Sequence, residues 1–176
     1  IAFLTILWSG AANAASGTWN GTDSAYWTNS ANWSLAPYPS GGDTASFTNA
    51  GNSRTIVDLT GLSSIKSITF DTTNVVAYTL GSGGANAQTL VASDAGQITL
   101  SSTAAADQTI AAAVQLQGNY TIANNSAART LTLNSVTNTL IDRSLTVSGP
   151  GAITILGNIA ASNGMLYVNA NGTGAV

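Results

Sequence analysis

The stretch Leu145-Thr-Val-Ser-Gly-Pro-Gly-Ala-Ile-Thr-Ile-Leu-Gly157 contains one short phrase twice: an apolar residue, a threonine and a second apolar residue. A period of two places the apolar side chains on one face of an extended strand and the threonine on the other. The Ser-Gly-Pro-Gly segment between the two phrases is typical of a tight turn. The stretch therefore predicts two short, half-buried strands joined by a turn.

The same phrase recurs from about residue 44 onward, as in Ile98-Thr-Leu100 and Leu131-Thr-Leu133. We expect the apolar members to point inward: Ile68, Phe70, Leu80, Leu100, Ile122, Leu133, Val147 and Ile155. The threonines between them should point outward: Thr69, Thr79, Thr99, Thr132 and Thr154. Residues 104–114 are rich in alanine, which is the best helix former, but they lead into the alternating Val114-Gln-Leu-Gln117. We therefore predict that they line the inside of a solenoid coil with small residues and do not form a helix.

The spacing of the phrases is compatible with two architectures. The phrases start at Ile68, Tyr78, Ile98, Tyr120, Leu131, Leu145 and Ile153. Two or three strands in each coil of about 20–25 residues, a length found in known solenoid repeats, would place them in this way. A β-sandwich would also place a strand about every 8–12 residues.

The composition favours the first architecture. Small and β-branched residues, with glycine and asparagine at the corners, suit stacked coils in which asparagines bond to asparagines in the next coil. We predict an all-β, right-handed parallel β-helix, with a β-sandwich as the alternative.

The composition also excludes several classes of protein. Only 6% of residues are charged, the net charge is −3, and the only cations are Arg54, Lys66, Arg129 and Arg143. Such a chain lacks the cationic stripe that binds nucleic acid, and an anionic membrane surface is disfavoured for the same reason. An apolar content of 44% with three prolines predicts a folded chain, and without cysteine it has no disulfides.

The first fourteen residues have the pattern of a targeting segment. The apolar run of residues 1–8 precedes Ala12-Asn-Ala14, an A-x-A cleavage site, so we predict a signal peptide remnant at 1–14 and a mature start at Ala15 or Ser16. The run is too short to span a membrane, and its alternative is a buried strand or helix. Without an initiator methionine or a basic n-region, and with its end inside the repeating pattern, the chain is expected to be a fragment of a secreted or cell-surface protein.

Residues 15–47 differ in kind, because they contain three of the four tryptophans. Exposed indoles beside asparagine and aspartate suit the stacking of sugars, which makes Trp19, Trp27 and Trp33 candidate carbohydrate contacts. Alternatively, bulky aromatics could close the open end of a solenoid, whose unpaired strand edges promote aggregation. We favour an aromatic N-terminal cap at 15–47, followed by a β-helix body at 48–176 that is truncated at its C-terminus.

The phrases Trp19-Asn-Gly21, Asn32-Trp33, Gly42-Asp-Thr-Ala-Ser-Phe47 and Ile65-Lys-Ser-Ile-Thr-Phe70 resemble the opening of proteins built from autotransporter-associated β-strand repeats. These are large secreted bacterial polypeptides, and the resemblance covers nearly the whole chain. It implies a right-handed β-helix passenger that is exported to the cell surface or released. Some relatives carry a C-terminal translocator barrel and others a sorting segment. The family is defined by its repeat, so it implies no catalytic residues.

A search for reactive groups gives no candidate catalytic, cofactor-binding or metal-binding residue. Polysaccharide-degrading β-helices place carboxylates, or carboxylates with calcium, on adjacent coils. The seven aspartates include no Asp-Asp or Asp-x-Asp pair, although stacking could bring Asp58 near Asp71. Without histidine or cysteine, catalytic triads and zinc sites are disfavoured.

These observations leave two classes of function. We expect a non-enzymatic structural or adhesive solenoid without a cofactor, whose partners are extracellular glycans or other surface proteins. A carbohydrate-binding or polysaccharide-degrading β-helix is the alternative.

Overall fold

The computed structural model describes residues 15–171, which form a β-solenoid of about six turns with 47% of residues in strands and 6% in helical turns. The signal peptide prediction for 1–14 lies outside the described residues. Within the described range no helix has the length and apolar character needed to cross a membrane. The strands are β1 Gly17–Thr18, β2 Thr44–Phe47, β3 Ile56–Val57, β4 Ile65–Phe70, β5 Thr79–Leu80, β6 Thr89–Leu100, β7 Gln108–Leu116, β8 Tyr120–Asn124, β9 Thr130–Asn138, β10 Arg143–Ser148, β11 Ala152–Ile155, β12 Ile159–Ala161 and β13 Leu166–Asn171. Three 3₁₀ turns lie at Ser30–Asn32, Gly51–Ser53 and Gly84–Asn86.

Each strand pairs in parallel with the strand one coil away, which gives the solenoid three faces. The first face contains β1, β2, β4, the second half of β6, β8, β10 and β13. The second face contains β3, β5, the first halves of β7 and β9, and β11. The third face contains the first half of β6, the second halves of β7 and β9, and β12. Every pairing between these strands is parallel, so the β-helix prediction is confirmed and the antiparallel β-sandwich is wrong.

The coils have nearly constant length. On the second face Val57, Leu80, Ile110, Leu133 and Ile155 stack in register, and the residue numbers advance by a nearly equal step except between Leu80 and Ile110. This longer step contains the 3₁₀ turn Gly84–Asn86 and a register shift in the β4–β6 pairing, in which Ile65 pairs with Ala92 but Ser67 pairs with Gln97. The expected coil length is therefore correct for every step of this stack but that one.

One continuous core fills the space between the faces. Seven of the eight apolar residues expected to point inward are fully buried or nearly so, and Phe47 stacks on Phe70 with ring centroids 5.2 Å apart. The eighth, Ile155, is only half-buried, because it lies on β11 and pairs with a described strand on one side only. The outward threonines are all at least partly exposed. Alternation therefore predicted the two surfaces correctly.

The corners are fixed by glycine and asparagine, but not through asparagine ladders. Asn124 is fully buried, and its side-chain N–H groups donate to the carbonyl oxygens of Arg129 and Ala152 at 2.7 Å each. Among the described residues no asparagine side chain bonds to another, so the expected asparagine pairs between coils are absent there. A buried amide must be satisfied, and backbone carbonyls satisfy this one.

Candidate functional site

The three tryptophans expected to form either a cap or a sugar site lie together over the first complete coil. Trp19 and Trp27 are each packed edge-on against Trp33, with centroid distances of 5.2 and 4.8 Å. All three rings lie within 6.2 Å of Phe47, which in turn stacks on Phe70. The aromatic block therefore continues the core across residue 47 without a break, and the division into cap and body at that residue stays a prediction.

The indoles are inside the protein and their polar groups are satisfied there. Trp19 and Trp27 are 0% exposed and Trp33 is 5% exposed. The indole N–H of Trp27 donates to the carbonyl oxygen of Pro39 at 2.7 Å, and that of Trp33 to the carbonyl oxygen of Trp27 at 2.7 Å. Stacking on a sugar requires an exposed ring face. The candidate carbohydrate contacts thus have no such face in this arrangement, which favours the cap.

The first face presents a regular array of small, mostly polar residues to the outside. Its register aligns them in two columns: Thr44, Ser67, Gln97, Thr121 and Thr146, and Ser46, Thr69, Thr99, Ala123 and Ser148. Neighbouring members of a column lie about 4.8 Å apart, and the columns are separated by two residues, about 7 Å. Nine of the ten residues are polar and none is charged; the tenth, Ala123, is buried and interrupts the second column. This surface can offer many equivalent hydroxyl groups to a ligand.

The pattern of the phrases did not reveal this array. Thr69 and Thr99 are the central residues of their phrases and share a column. Thr121 is also the central residue of its phrase, yet it pairs with Gln97 and so belongs to the other column. A period of two tells which side chains point outward but not which residue of the next coil lies beside them. The two columns can be recognised only from the strand register in the structure.

The aspartates are dispersed and hold turns. Asp58 follows β3 on the second face, whereas Asp71 follows β4 on the first face, so stacking does not bring these two carboxylates together. Hydrogen bonds, first from the hydroxyl of Thr60, hold the pKa of Asp58 below its usual value despite partial burial. The pKa of Asp71 is likewise lowered, chiefly by the hydroxyl of Thr103. In the described range no group of three or more acidic, histidine or cysteine residues is arranged to hold a metal ion.

Two tyrosine hydroxyls are also used structurally. The Tyr78 hydroxyl donates to the carbonyl oxygen of Asn49 at 2.8 Å, and burial raises the pKa of Tyr78 to about 12. The Tyr120 hydroxyl donates to the carbonyl oxygen of Lys66 at 2.9 Å, and burial raises its pKa further. Both groups therefore stay protonated at neutral pH. The Tyr78 hydroxyl joins neighbouring coils, whereas the Tyr120 hydroxyl reaches past β6 to the coil beyond it.

Comparison with protein-family models, with curated proteins and with solved structures found no match to this chain.

Proposed function

We propose that this chain is part of an exported bacterial surface protein and acts there as a non-enzymatic structural or adhesive β-solenoid. The observation that carries the proposal is the two-column polar array on the first face. Adhesion through many weak contacts requires a rigid surface on which one contact geometry is repeated. The parallel register of the first face supplies such repetition over successive coils. The A-x-A pattern before Ala15 supports export.

The lack of charge in the array favours neutral partners. Charged partners are recognised by charge-assisted hydrogen bonds, for which the array provides no group. Hydroxyl groups of glycans and backbone groups of other surface proteins can instead bond to threonine and serine, which are both donors and acceptors. The degradative alternative has less support, because Asp58 and Asp71 lie after strands of different faces.

The adhesive function is tested with beads that carry the purified chain, placed on surfaces coated with neutral glycans or with extracellular proteins. We expect the beads to adhere to at least one surface, and a Thr99→Asp/Thr121→Asp double variant to reduce their retention several-fold. Both side chains face outward on the first face, so folding should be unaffected. Thr137→Asp is the matched control, because Thr137 is a partly exposed threonine on the third face. Equal loss with the control, or no adhesion to any surface, would contradict the proposal.

A further inference from the structure

A surface cleft of about 420 Å³ lies at the corner that follows the first face at the N-terminal end of the solenoid. β1 and β2 are parallel neighbours, so the loops that leave them emerge side by side at this corner. One loop contributes Asn20 and Thr22, and the other contributes Asn49, Ala50, Gly51 and Asn52. The volume falls in the range of about 300–1,000 Å³ that is typical of small-molecule sites.

The walls of the cleft are held in place by hydrogen bonds to the aromatic block and between the loops. The side chain of Asn49 donates to the carbonyl oxygen of Trp19 at 3.0 Å, and the backbone carbonyl oxygen of Asn49 accepts the Tyr78 hydroxyl. The side chain of Asn52 donates to the carbonyl oxygen of Asn20 at 3.0 Å, which ties the two loops together. A site that is already rigid loses little conformational entropy when a ligand binds.

Close packing of the two loops depends on glycine. Gly51 has a φ of +53°, and a Cβ added there would lie 2.4 Å from the Tyr78 hydroxyl oxygen and 2.9 Å from the indole nitrogen of Trp19. A Cβ at Gly21, whose φ is +57°, would lie 2.3 Å from the carbonyl oxygen of Gly51. Larger residues would therefore force the loops apart and open the cleft.

The polar groups left over in the cleft are neutral donors and acceptors. The side-chain amide of Asn20 makes no hydrogen bond within residues 15–171, and the side-chain oxygen of Asn52 likewise has no partner in that range. The Thr22 hydroxyl donates to the carbonyl oxygen of Ala31, which leaves its oxygen able to accept. Amide and hydroxyl groups of this kind match the hydroxyls of a sugar, each of which is both donor and acceptor.

The surrounding charges are already engaged. The guanidinium of Arg54 donates to the backbone carbonyl oxygens of Gly21 and Asp23, and one carboxylate oxygen of Asp23 accepts from the side chain of Asn29. Among the described residues, none that lines the cleft is charged. An anionic ligand would need a free cation and a metal ion would need carboxylates, so a neutral ligand fits best.

We propose that this cleft binds one or two sugar units of a neutral glycan. The inference rests on the adhesive function proposed above and gives it a ligand class. It differs from stacking on Trp19, Trp27 and Trp33, because the indoles support the cleft from inside and the loop residues make the contacts. The sugar would then be bound by hydrogen bonds from side-chain amides and not by stacking on an aromatic ring.

The test measures binding of the folded chain to an array of neutral and acidic oligosaccharides, followed by calorimetry on the neutral sugars that bind. We expect Asn20→Ala to weaken binding about tenfold, the effect of losing one well-placed hydrogen bond. We expect Ala50→Trp to abolish binding, since the exposed Ala50 lines the cleft and an indole would fill it. Asn163→Ala, at an exposed asparagine outside the cleft, should leave binding and melting temperature unchanged.

The inference would be overturned if the chain bound no neutral sugar, bound acidic sugars only, or bound equally well with Ala50→Trp. The bead experiment distinguishes this failure from failure of the adhesive function. If beads that carry the Ala50→Trp variant still adhere, the adhesive function does not depend on the cleft. Sugar binding by the soluble chain, with beads that do not adhere, would support the cleft and contradict adhesion.

Discussion

At the scale of single residues, burial of the tryptophans makes a direct prediction. Trp27 is fully buried, and its indole N–H is bonded to Pro39. Removal of a core tryptophan typically costs about 3–5 kcal/mol of stability. We expect Trp19→Ala, Trp27→Ala and Trp33→Ala each to lower the melting temperature and to reduce solubility by exposing the end of the coil.

Thermal unfolding of the three variants, beside an oligosaccharide array for the parent, is the measurement. If the parent binds a sugar and one of these variants no longer binds it, although its melting temperature is unchanged, the indoles would be carbohydrate contacts after all. If the indoles form a cap, all three variants should have lower melting temperatures than the parent.

Neighbouring residues on β8 test the alternation. Ile122 is fully buried, whereas Thr121 is partly exposed on the first face. Ile122→Asp would bury an unpaired charge and should lower the free energy of unfolding by several kcal/mol, whereas Thr121→Asp should have a much smaller effect. Ile155→Asp should cost less than Ile122→Asp, because Ile155 is half-buried, although it should still cost more than Thr154→Asp. Chemical denaturation measures these changes, and equal effects at Ile122 and Thr121 would be incompatible with the alternation.

The carboxylate of Asp71 makes stability depend on pH. Its pKa is lowered in the folded protein by hydrogen bonds, first from the hydroxyl of Thr103. The resulting stabilisation is present above the unfolded value of about 3.9 and is lost as the pH falls through the lower folded pKa. Asp71→Asn should reduce stability at pH 7 and leave it less sensitive to acid below pH 4. Denaturation across that range tests the prediction, and an unchanged acid profile would refute it.

At the scale of structural elements, the corner between β10 and β11 depends on Gly149. Its φ is +101°, and an added Cβ would lie 2.0 Å from the carbonyl oxygen of Asn124 in the coil below. We expect Gly149→Ala to lower the free energy of unfolding by at least about 1–3 kcal/mol, the range for residues held in strained backbone conformations. Gly42→Ala is the control, because a Cβ there meets no atom within 4 Å. Similar losses of stability at both positions would contradict this account of the corner.

The elements also show what the sequence could and could not predict. Alternation identified the buried and exposed sides of phrases such as Ile68-Thr-Phe70, because burial follows from the local period. It did not reveal that β6, β7 and β9 each turn a corner and contribute to two faces, because each continues as a single strand through the bend. In β6 the bend lies at Asp94-Ala-Gly96, where Ala95 has a φ of +54°. The cleft was also missed, because Asn20 and Asn52 are brought together by stacking and not by sequence spacing.

At the scale of the whole molecule, the solenoid combines one aromatic end with a long, mostly polar side. The Trp-rich block packs against Phe47, and the two columns of the first face carry uncharged, mostly polar side chains on successive coils. A rigid scaffold with repeated weak contacts gains affinity when several contacts form at once, because each further contact is intramolecular. An adhesive solenoid should therefore bind weakly as a single chain and strongly at high surface density.

The most direct test is the force needed to detach beads that carry the chain at graded density from an adhesive surface. The adhesive account predicts a detachment force that rises more steeply than the density, and that falls several-fold with Thr99→Asp/Thr121→Asp but not with Thr137→Asp. A force that stays at the level of uncoated beads at every density would contradict the account.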